Sequence, residues 1–285
     1  LWCGNNECND AWFNWGWQKR YKKQNPEYEQ IIWKQFNDQY NVTLPQVVKE
    51  YAPESFYWPS SPFARYDGGS DDHNGDRHYW EVWHGKKPIE MYNKERSRFF
   101  SEYGFQSFPE FESVKRYAPC EEDWNIYSEV MMSHQRGGAH ANELIETYLL
   151  NEYRKPRDFE AFLYMNHVLQ GDAIKTAIEA HRRDMPYCMG TLFWQHNDCW
   201  PVASWASRDY YGRWKAQHYF TRKAYRDMLV SPIADESEIL KVQVVSDRLK
   251  SCGGKLEVSV IKLTGEVLNQ YNRNVKIDAN SSRTL

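Results

Sequence analysis

Long hydrophobic runs are missing from this 285-residue sequence. No stretch reaches the roughly 18 apolar residues of a membrane-spanning helix, and the mean hydropathy is −0.84, so no membrane span is predicted. A strong excess of one charge is also missing, because 36 basic residues stand against 39 acidic residues and the formal net charge is −3. The composition therefore gives no support to a partner that is a nucleic acid or a membrane surface.

Metal-ligand spacing is missing among the cysteines. The six are widely scattered: Cys3, Cys8, Cys120, Cys188, Cys199 and Cys252. They form no CxxC pair and no cysteine–histidine spacing typical of zinc, so no metal site is predicted, and we expect mostly buried thiols. An initial methionine and a signal peptide are missing too. The sequence opens on Leu1 inside a strand-like motif, and we therefore expect a piece of a longer polypeptide.

Aromatic residues are abundant. The 13 Trp, 20 Tyr and 13 Phe make up 16% of the chain, which is the outlier of the composition. Flat aromatic faces stack on the C–H faces of sugars as well as filling a core. We expect most of these rings to be core and a minority to face a ligand in a concave site.

Two short apolar runs each end on a glutamate beside glycine and small polar residues. Residues 1–7 end on Glu7, and the run from Phe99 ends on Glu102 just before Tyr103 and Gly104. A buried parallel strand delivers a carboxylate to the rim of an α/β barrel in this way. The interval between the two glutamates accommodates about three βα units of roughly 30 residues. The pattern predicts a carboxylate pair, although two glutamates at strand ends can also arise by coincidence.

Longer motifs carry a resemblance to a known family. They are residues 2–7 (WCGNNE), 57–62 (YWPSSP), 78–83 (HYWEVW), 101–109 (SEYGFQSFP), 191–201 (TLFWQHNDCWP), 205–207 (WAS) and 211–216 (YGRWKA). Together they resemble the β-mannosidases of glycoside hydrolase family 2, and the resemblance runs along nearly the whole chain.

The resemblance implies an α/β fold, a (β/α)₈ TIM barrel of which this chain supplies strands four to eight. Residues 1–231 would be the C-terminal portion of the catalytic barrel, and residues 232–285 the beginning of an immunoglobulin-like β-sandwich. Period-two alternation at 239–246 and 256–263, with a turn at Thr264 and Gly265, supports the sandwich. The remaining N-terminal domains of the same polypeptide would complete the site.

Local patterns predict the elements between the motifs. Helices are expected at about 26–40, 44–51, 142–154, 158–183 and 208–226, a last barrel strand at 185–194, and a long polar rim loop at 67–76. Asp158 is the expected N-cap of the fourth helix.

The resemblance also implies an activity. It is that of a retaining exo-β-mannosidase, which removes terminal non-reducing β-D-mannose by double displacement through a covalent glycosyl-enzyme. Glu102 would be the nucleophile, ionised at working pH, and Glu7 the acid/base that protonates the leaving oxygen. No cofactor and no metal are implied. The substrate would be a β-mannoside oligosaccharide or a glycoprotein glycan, and a periplasmic, secreted or lysosomal location is favoured over the cytoplasm.

Four further residues are candidates for binding the sugar. Asn6 would reach the 2-hydroxyl, with capping of a rim loop as the alternative. Trp15 and Trp194 match substrate-contacting tryptophans of the family, and a cis peptide bond is expected between Trp194 and Gln195; core packing is the alternative for Trp15. His84 stands where the family often has a tyrosine that hydrogen-bonds the nucleophile, and a structural histidine is its alternative.

Two other functions stay open. Family 2 also contains β-galactosidases, β-glucuronidases and exo-β-glucosaminidases, which share the barrel and both glutamates, and fold-level likeness does not settle the sugar. A non-catalytic carbohydrate-binding fragment would use the same aromatics while its glutamates only hydrogen-bond hydroxyls.

Overall fold

The computed structural model describes residues 1–65, 67–69, 71–234 and 240–285. These residues divide into two compact units. The first unit consists of Leu1–Phe105 and Cys188–Gln195, and the second of Gln106–Tyr187 and His196–Leu285. None of the helices in the described ranges is long and apolar enough to cross a membrane.

Short parallel strands and the helices between them form the first unit. Its elements are β1 (Trp2–Cys3), α1 (Cys8–Phe13), α2 (Trp17–Gln24), α3 (Pro26–Asn37), a π-helical turn (Asp38–Thr43), α4 (Leu44–Tyr51), β2 (Tyr57–Trp58), β3 (Arg77–His78), a 3₁₀ turn (Ile89–Asn93) and β4 (Phe100–Glu102). β1 pairs in parallel with β2, and β3 pairs in parallel with β4. This pairing is of the kind expected of an α/β barrel, and the numbering of these strands as four to eight stays a prediction.

The segment predicted as the last barrel strand (185–194) is not a strand over that length, but it bonds to β4 on its other side around an isolated bridge between Phe100 and Thr191. The amide of Phe100 donates to the carbonyl of Gly190 at 2.9 Å, and the amide of Leu192 donates to the carbonyl of Phe100 at 2.8 Å. Beyond β1, the amide of Glu7 donates to the carbonyl of Ser61 at 2.7 Å, which extends the β1–β2 pairing to the strand ends. Because parallel strands end at one edge of a sheet, both strand pairs deliver their last side chains to a rim.

Helices and antiparallel strands form the second unit. Its elements are α5 (Phe111–Tyr117), a 3₁₀ turn (Glu121–Asp123), α6 (Glu129–Ser133), α7 (Gly138–Glu152), α8 (Phe159–Arg183), α9 (Ala216–Ala224), β5 (Met228–Ala234), β6 (Leu240–Ser246), β7 (Cys252–Ile261), β8 (Val267–Ile277) and β9 (Ser281–Thr284). β6 pairs antiparallel with β5 and β9, and β7 pairs antiparallel with β8. The hairpin turn contains Gly265 at φ +90°, as the sequence predicted.

Several predictions of detail can be compared with these elements. The carboxylate of Asp158 accepts from the amide of Ala161 at 2.7 Å, which confirms the N-cap of α8. The helix predicted from residue 208 begins only at Ala216. Cys3, Cys120 and Cys199 are exposed, so the expectation of mostly buried thiols was wrong.

The structure does not decide the exact bounds of three predicted segments. The boundary predicted after residue 231 lies within β5 and stays a prediction. Ser70 of the predicted rim loop and Ile239 of the predicted strand lie outside the described residues.

Gly75, just before β3, has a backbone that favours glycine. Its φ is +65°, and an added Cβ would lie 1.9 Å from the carbonyl oxygen of Phe63. We expect Gly75→Ala to lower the free energy of unfolding by about 2–4 kcal/mol, because left-handed strain adds to a backbone clash. Gly16→Ala is the matched control, since Gly16 has φ +80° but no described atom within 4 Å of an added Cβ. It should cost only about 1–2 kcal/mol. Equal losses of the free energy of unfolding in the two variants, measured by urea denaturation, would contradict the expected clash at Gly75.

Candidate active site

Glu7 lies where β1 gives way to α1. Its backbone has φ 60° and ψ 4°, a left-handed conformation that a non-glycine residue adopts only when its surroundings hold it. Two hydrogen bonds hold it, because its amide donates to the carbonyl of Ser61 at 2.7 Å and its carbonyl accepts from the amide of Ala11 at 2.8 Å. The strained turn directs the side chain to the strand rim.

Glu102 is the last residue of β4 and is only 8% exposed. Burial raises the pKa of its carboxyl, and the nearby charge of Glu7 raises it further. His78 and a hydrogen bond from Trp80 lower the pKa of this carboxyl and oppose the effect of burial. The Trp80 bond runs from Nε1 to Oε1 of Glu102 at 3.1 Å.

His78, at the end of β3, lies between the two carboxylates. Its Nδ1 is 2.8 Å from Oε1 of Glu7 and 3.7 Å from Oε2 of Glu102. One such atom from each of the three residues lies within 4.8 Å of the other two. The imidazole side chain is only 4% exposed. Two strand ends and an α1 cap thus bring atoms of two carboxylates and one imidazole within 4.8 Å of one another.

A polar network stands behind His78. Its Nε2 is 3.0 Å from Oγ of Ser61, and that hydroxyl donates to Oδ2 of Asp76 at 2.6 Å. Asp76 also accepts hydrogen bonds from the hydroxyl of Ser101, from Trp58 Nε1 at 2.8 Å and from the amide of Phe63 at 2.9 Å. The carboxylate of Asp76 therefore has four donors, and the network orients the imidazole.

A cavity of about 470 Å³ opens in front of the carboxylate of Glu7. Glu7, Trp15, His78, Trp80 and His84 line it, together with residues of the polar loop that includes Asp71. The volume lies in the range of about 300–1,000 Å³ typical of small-molecule sites. Polar atoms, rings and the acid thus share one concave surface.

The predicted site residues do not all line the cavity. It brings Glu7 and Glu102 together, and it places Trp15 (54% exposed) and His84 on the cavity wall. The ring of His84 lies 5.2 Å from that of Trp80. Asn6 is exposed and pairs through its backbone with Ser61. It is not among the described residues that line the cavity.

Asn5, rather than Asn6, caps the rim loop. Its side-chain amide donates to the carbonyl of Pro59 at 3.0 Å, and its oxygen accepts from the amide of Cys8 at 3.0 Å and from Ser60 Oγ at 2.8 Å. The side chain of Asn6 is left exposed at the rim.

Trp194 follows the strand beside β4. Its amide donates to the carbonyl of Tyr103 at 2.7 Å, so it lies at the end of the strand that follows Glu102 in the ladder. The indole is 42% exposed, and the peptide bond to Gln195 is cis, which confirms the expected isomer. The described lining of the cavity does not include Trp194.

Sequence reasoning missed His78, Ser61 and Asp76 as site residues. Parallel pairing of β3 with β4 sets His78 opposite Glu102, and no local pattern reveals that register. The signal that identified Glu102 is missing at His78, because the residues before it (71–77, DDHNGDR) are polar or glycine.

The trio of Glu7, His78 and Glu102 contains atoms of the types that hold transition metals. The Nδ1 atom already contacts Glu7, and Oε1 of Glu102 already accepts from Trp80. We describe these contacts as hydrogen bonds, and the expectation of no metal stays a prediction.

Comparison with known proteins gives concordant results. The family model described as "Mannosidase Ig/CBM-like domain" matches residues 238–285. β-Mannosidase B of Aspergillus niger is 30% identical over 308 aligned residues, which cover 100% of this chain and 36% of the relative. The chain thus spans about a third of the length of that curated relative.

Solved structures agree. The β-D-mannosidase of Dictyoglomus thermophilum matches with a TM-score of 0.83 and 32% identity, over 100% of this chain and 33% of the other. An exo-chitosanase of Amycolatopsis orientalis matches with a TM-score of 0.64 over 85% of this chain and 30% of the other, and its 15% identity shows the fold alone. Because sequence and structure match along the whole chain, the chain belongs to the β-mannosidases of glycoside hydrolase family 2.

Proposed function

We propose that this chain carries the catalytic carboxylates of a retaining exo-β-mannosidase, which hydrolyses terminal non-reducing β-D-mannose residues of oligosaccharides or glycans. The approach of Glu7 and Glu102 to within 4.8 Å carries the proposal. The names of the relatives, β-mannosidase B and β-D-mannosidase, support the choice of sugar.

The separation of the carboxylates favours retention over inversion. Retaining enzymes hold the two groups about 5–5.5 Å apart, whereas inverting enzymes need about 6.5–9.5 Å to admit a water molecule between base and sugar. One oxygen of Glu7 and one of Glu102 lie within 4.8 Å of each other, which is nearer to the retaining separation. This spacing supports direct attack on the sugar by one of the carboxylates.

The two glutamates would take different roles in the reaction. Glu102 would attack the anomeric carbon, forming an ester, while Glu7 would donate its proton to the glycosidic oxygen as the C–O bond breaks. The leaving alcohol departs and Glu7 becomes a carboxylate. Glu7 then takes a proton from water, whose oxygen attacks the anomeric carbon and releases Glu102. The second step restores both groups and retains the configuration.

The remaining predicted residues would bind the sugar. The exposed face of Trp15 on the cavity wall suits stacking on the sugar or its aglycone. Asn6 adjoins Glu7 with its side chain exposed, in reach of a substrate hydroxyl at the rim. Trp194 ends the next strand after Glu102, and we assign it to the floor of the same subsite. His84 would act beside Trp80 at the cavity edge.

The raised pKa of Glu102 predicts that the acid limb of the pH–activity profile lies at a higher pH than an unperturbed glutamate would give. Activity needs the ionised carboxylate, so it should be lost as the pH falls through the raised pKa. Trp80→Phe removes a hydrogen bond that lowers this pKa, so the acid limb of kcat/KM should move to higher pH. Trp17→Phe, an exposed tryptophan of α2, is the control and should leave the limb in place. An unchanged or downward shift in Trp80→Phe would contradict the assigned role of Glu102.

A substrate panel tests the proposed function. The protein as encoded, with any segments that flank this chain, should be assayed on nitrophenyl β-D-mannoside, β-galactoside, β-glucuronide and β-glucosaminide. We expect the highest kcat/KM on the mannoside and a β-configured first product in proton NMR. Preference for another sugar would leave a family-2 glycosidase of different specificity. Sugar binding without turnover of any member would favour a carbohydrate-binding role, and an α-configured product would exclude double displacement.

A further inference from the structure

Three side chains at the strand rim offer the donor atoms of a transition-metal site. Nδ1 of His78 lies 2.8 Å from Oε1 of Glu7 and 3.7 Å from Oε2 of Glu102. One oxygen of each glutamate lies within 4.8 Å of the other, and the imidazole side chain is only 4% exposed. Imidazole nitrogen and carboxylate oxygen are both zinc ligands, and zinc sites that exchange ligands use three protein ligands and one open position.

The distances suit a single ion after a small movement. Zinc lies about 2.0–2.2 Å from nitrogen and oxygen ligands, so two ligands of one tetrahedral ion are about 3.4 Å apart. The two contacts of His78, at 2.8 Å and 3.7 Å, lie on either side of that value. The two carboxylate oxygens have to close from at most 4.8 Å to about 3.4 Å. Ionised carboxylates repel each other at this range, and a divalent cation between them removes the repulsion.

The hydrogen bonds around the three residues are compatible with such an ion. Trp80 donates to Oε1 of Glu102, whereas Oε2 is the oxygen at 3.7 Å from Nδ1. Behind the imidazole, Nε2 is 3.0 Å from Oγ of Ser61, which donates to Asp76 at 2.6 Å. Metal-binding histidines regularly place their second nitrogen in a hydrogen bond of this kind, which fixes the ring. Any proton held between Nδ1 and Glu7 is released when an ion binds, whichever of the two atoms carries it.

We propose that Glu7, His78 and Glu102 form an inhibitory site for a divalent transition metal of the Zn²⁺ class, which binds in place of the sugar. The cavity of about 470 Å³ in front of Glu7 gives the ion an entry path and room for water as the fourth ligand. With both glutamates on the ion, neither can act on a substrate. The expectation that the reaction uses no metal is unaltered, because this ion competes with the sugar.

Only part of this proposal rests on the proposed function. Binding of the ion depends on the three donor side chains alone, whereas inhibition of turnover requires that Glu7 and Glu102 are the catalytic pair. The donor set also selects among ions. Imidazole suits Zn²⁺, Cu²⁺ and Ni²⁺, whereas Mg²⁺ requires octahedral oxygen ligands and keeps most of its water.

Calorimetric titration of the protein as encoded, with any segments that flank this chain, measures the binding directly. We expect ZnCl₂ to bind and MgCl₂ at the same concentrations to give no heat of binding at this site. Glu7→Ala and Glu102→Gln each remove a ligand, so each should weaken Zn²⁺ binding by more than about 100-fold. Ser61→Ala removes only the partner of Nε2 and should weaken it by about tenfold.

His140→Ala is the control for an adventitious surface site. Nδ1 of His140 lies 3.7 Å from the carboxylate of Glu143 on α7, where both side chains are exposed. The substitution should change the affinity of the cavity site for Zn²⁺ by less than about twofold, because it touches none of the three ligands. Zn²⁺ binding that persists in both glutamate variants and disappears in His140→Ala would overturn the proposal.

Kinetics test the inhibition. ZnCl₂ should raise the apparent KM for nitrophenyl β-D-mannoside and leave kcat at saturating substrate unchanged, because ion and sugar exclude each other. EDTA should restore the rate measured without zinc. Activation by Zn²⁺, or a lower kcat at unchanged KM, would overturn the proposed competition.

The outcomes separate this inference from the function on which the inhibition rests. If the wild type turns over no β-glycoside, the proposed function fails, and calorimetry still decides whether the ion site exists. If the wild type is active and binds no Zn²⁺, the site is wrong and the mannosidase proposal stands. Should a glutamate variant not fold, ¹⁵N NMR of the wild-type histidines decides, because Zn²⁺ that leaves the Nδ1 resonance of His78 in place would overturn the proposal.

Discussion

Glu102→Gln should lower kcat on aryl β-mannosides by a factor on the order of 10⁶, the scale on which loss of a covalent nucleophile acts in other hydrolases. The amide has the shape of the carboxylate and still accepts from Trp80, but it cannot form the glycosyl ester. Substrate affinity should change little, because the hydrogen-bonding shape of the site is kept. Steady-state kinetics on the complete protein and calorimetric titration with a mannoside measure the two effects.

Glu95→Gln is the matched control for this result. Glu95 pairs with Arg77 at 3.0 Å in the same unit but is not part of the cluster of Glu7, His78 and Glu102, so the same chemical change should leave kcat within about threefold. Wild-type turnover by Glu102→Gln would remove the nucleophile from the proposal. A protein that binds mannosides equally well in both forms and never turns them over would be a binding module.

Glu7→Ala should lower kcat/KM by about 10²–10⁴-fold on substrates with poor leaving groups, which depend on a general acid. Dinitrophenyl mannosides should retain most of their kcat/KM, because their leaving oxygen departs without a proton. The second step should become slow on both, since Glu7 also serves as the base toward water. Rates for a series of leaving groups, from methyl to dinitrophenyl, measure the dependence.

A small anion provides a second readout for Glu7→Ala. Azide can occupy the space vacated by the side chain and needs no base to attack the ester, so it should restore turnover of the dinitrophenyl substrate and yield a β-mannosyl azide. Glu50→Ala, which changes an exposed glutamate of α4, is the control. Its rates should match those of the wild type with every leaving group and should not rise with azide. Equal losses across all leaving groups in Glu7→Ala, without azide rescue, would argue that Glu7 only supports the fold.

Local chemistry made the helices of this chain predictable. α8 is a long amphipathic run, and Asp158 caps it through the amide of Ala161, so both face and start can be inferred from neighbouring residues. The predicted start at residue 208 failed for an equally local reason. Asp209 accepts from the amide of Arg213 at 2.9 Å, and Gly212 has φ +84°, a turn that delays α9 to Ala216.

The two glutamates were predictable because each ends an apolar run within a longer motif. Their contact was a hypothesis from strand order, and the structure places their oxygens within 4.8 Å. His78 was not predictable, because its role depends on a neighbouring strand brought alongside in a particular register. The sequence also could not predict which of Asn5 and Asn6 caps the rim loop, since adjacent residues of the same type differ only in the direction of their side chains.

The sequence alone thus determined the family resemblance, the two carboxylates and most helices, since these depend on residue types and short spacings. Only the tertiary structure decided which groups surround the carboxylates: the imidazole between them, the Asp76 network behind it and the burial that raises the pKa of Glu102. The physical reason is that hydrogen bonds and desolvation act over a few ångströms in space. Residues at 7, 61, 76, 78 and 102 reach that range only when separate strands meet at one edge.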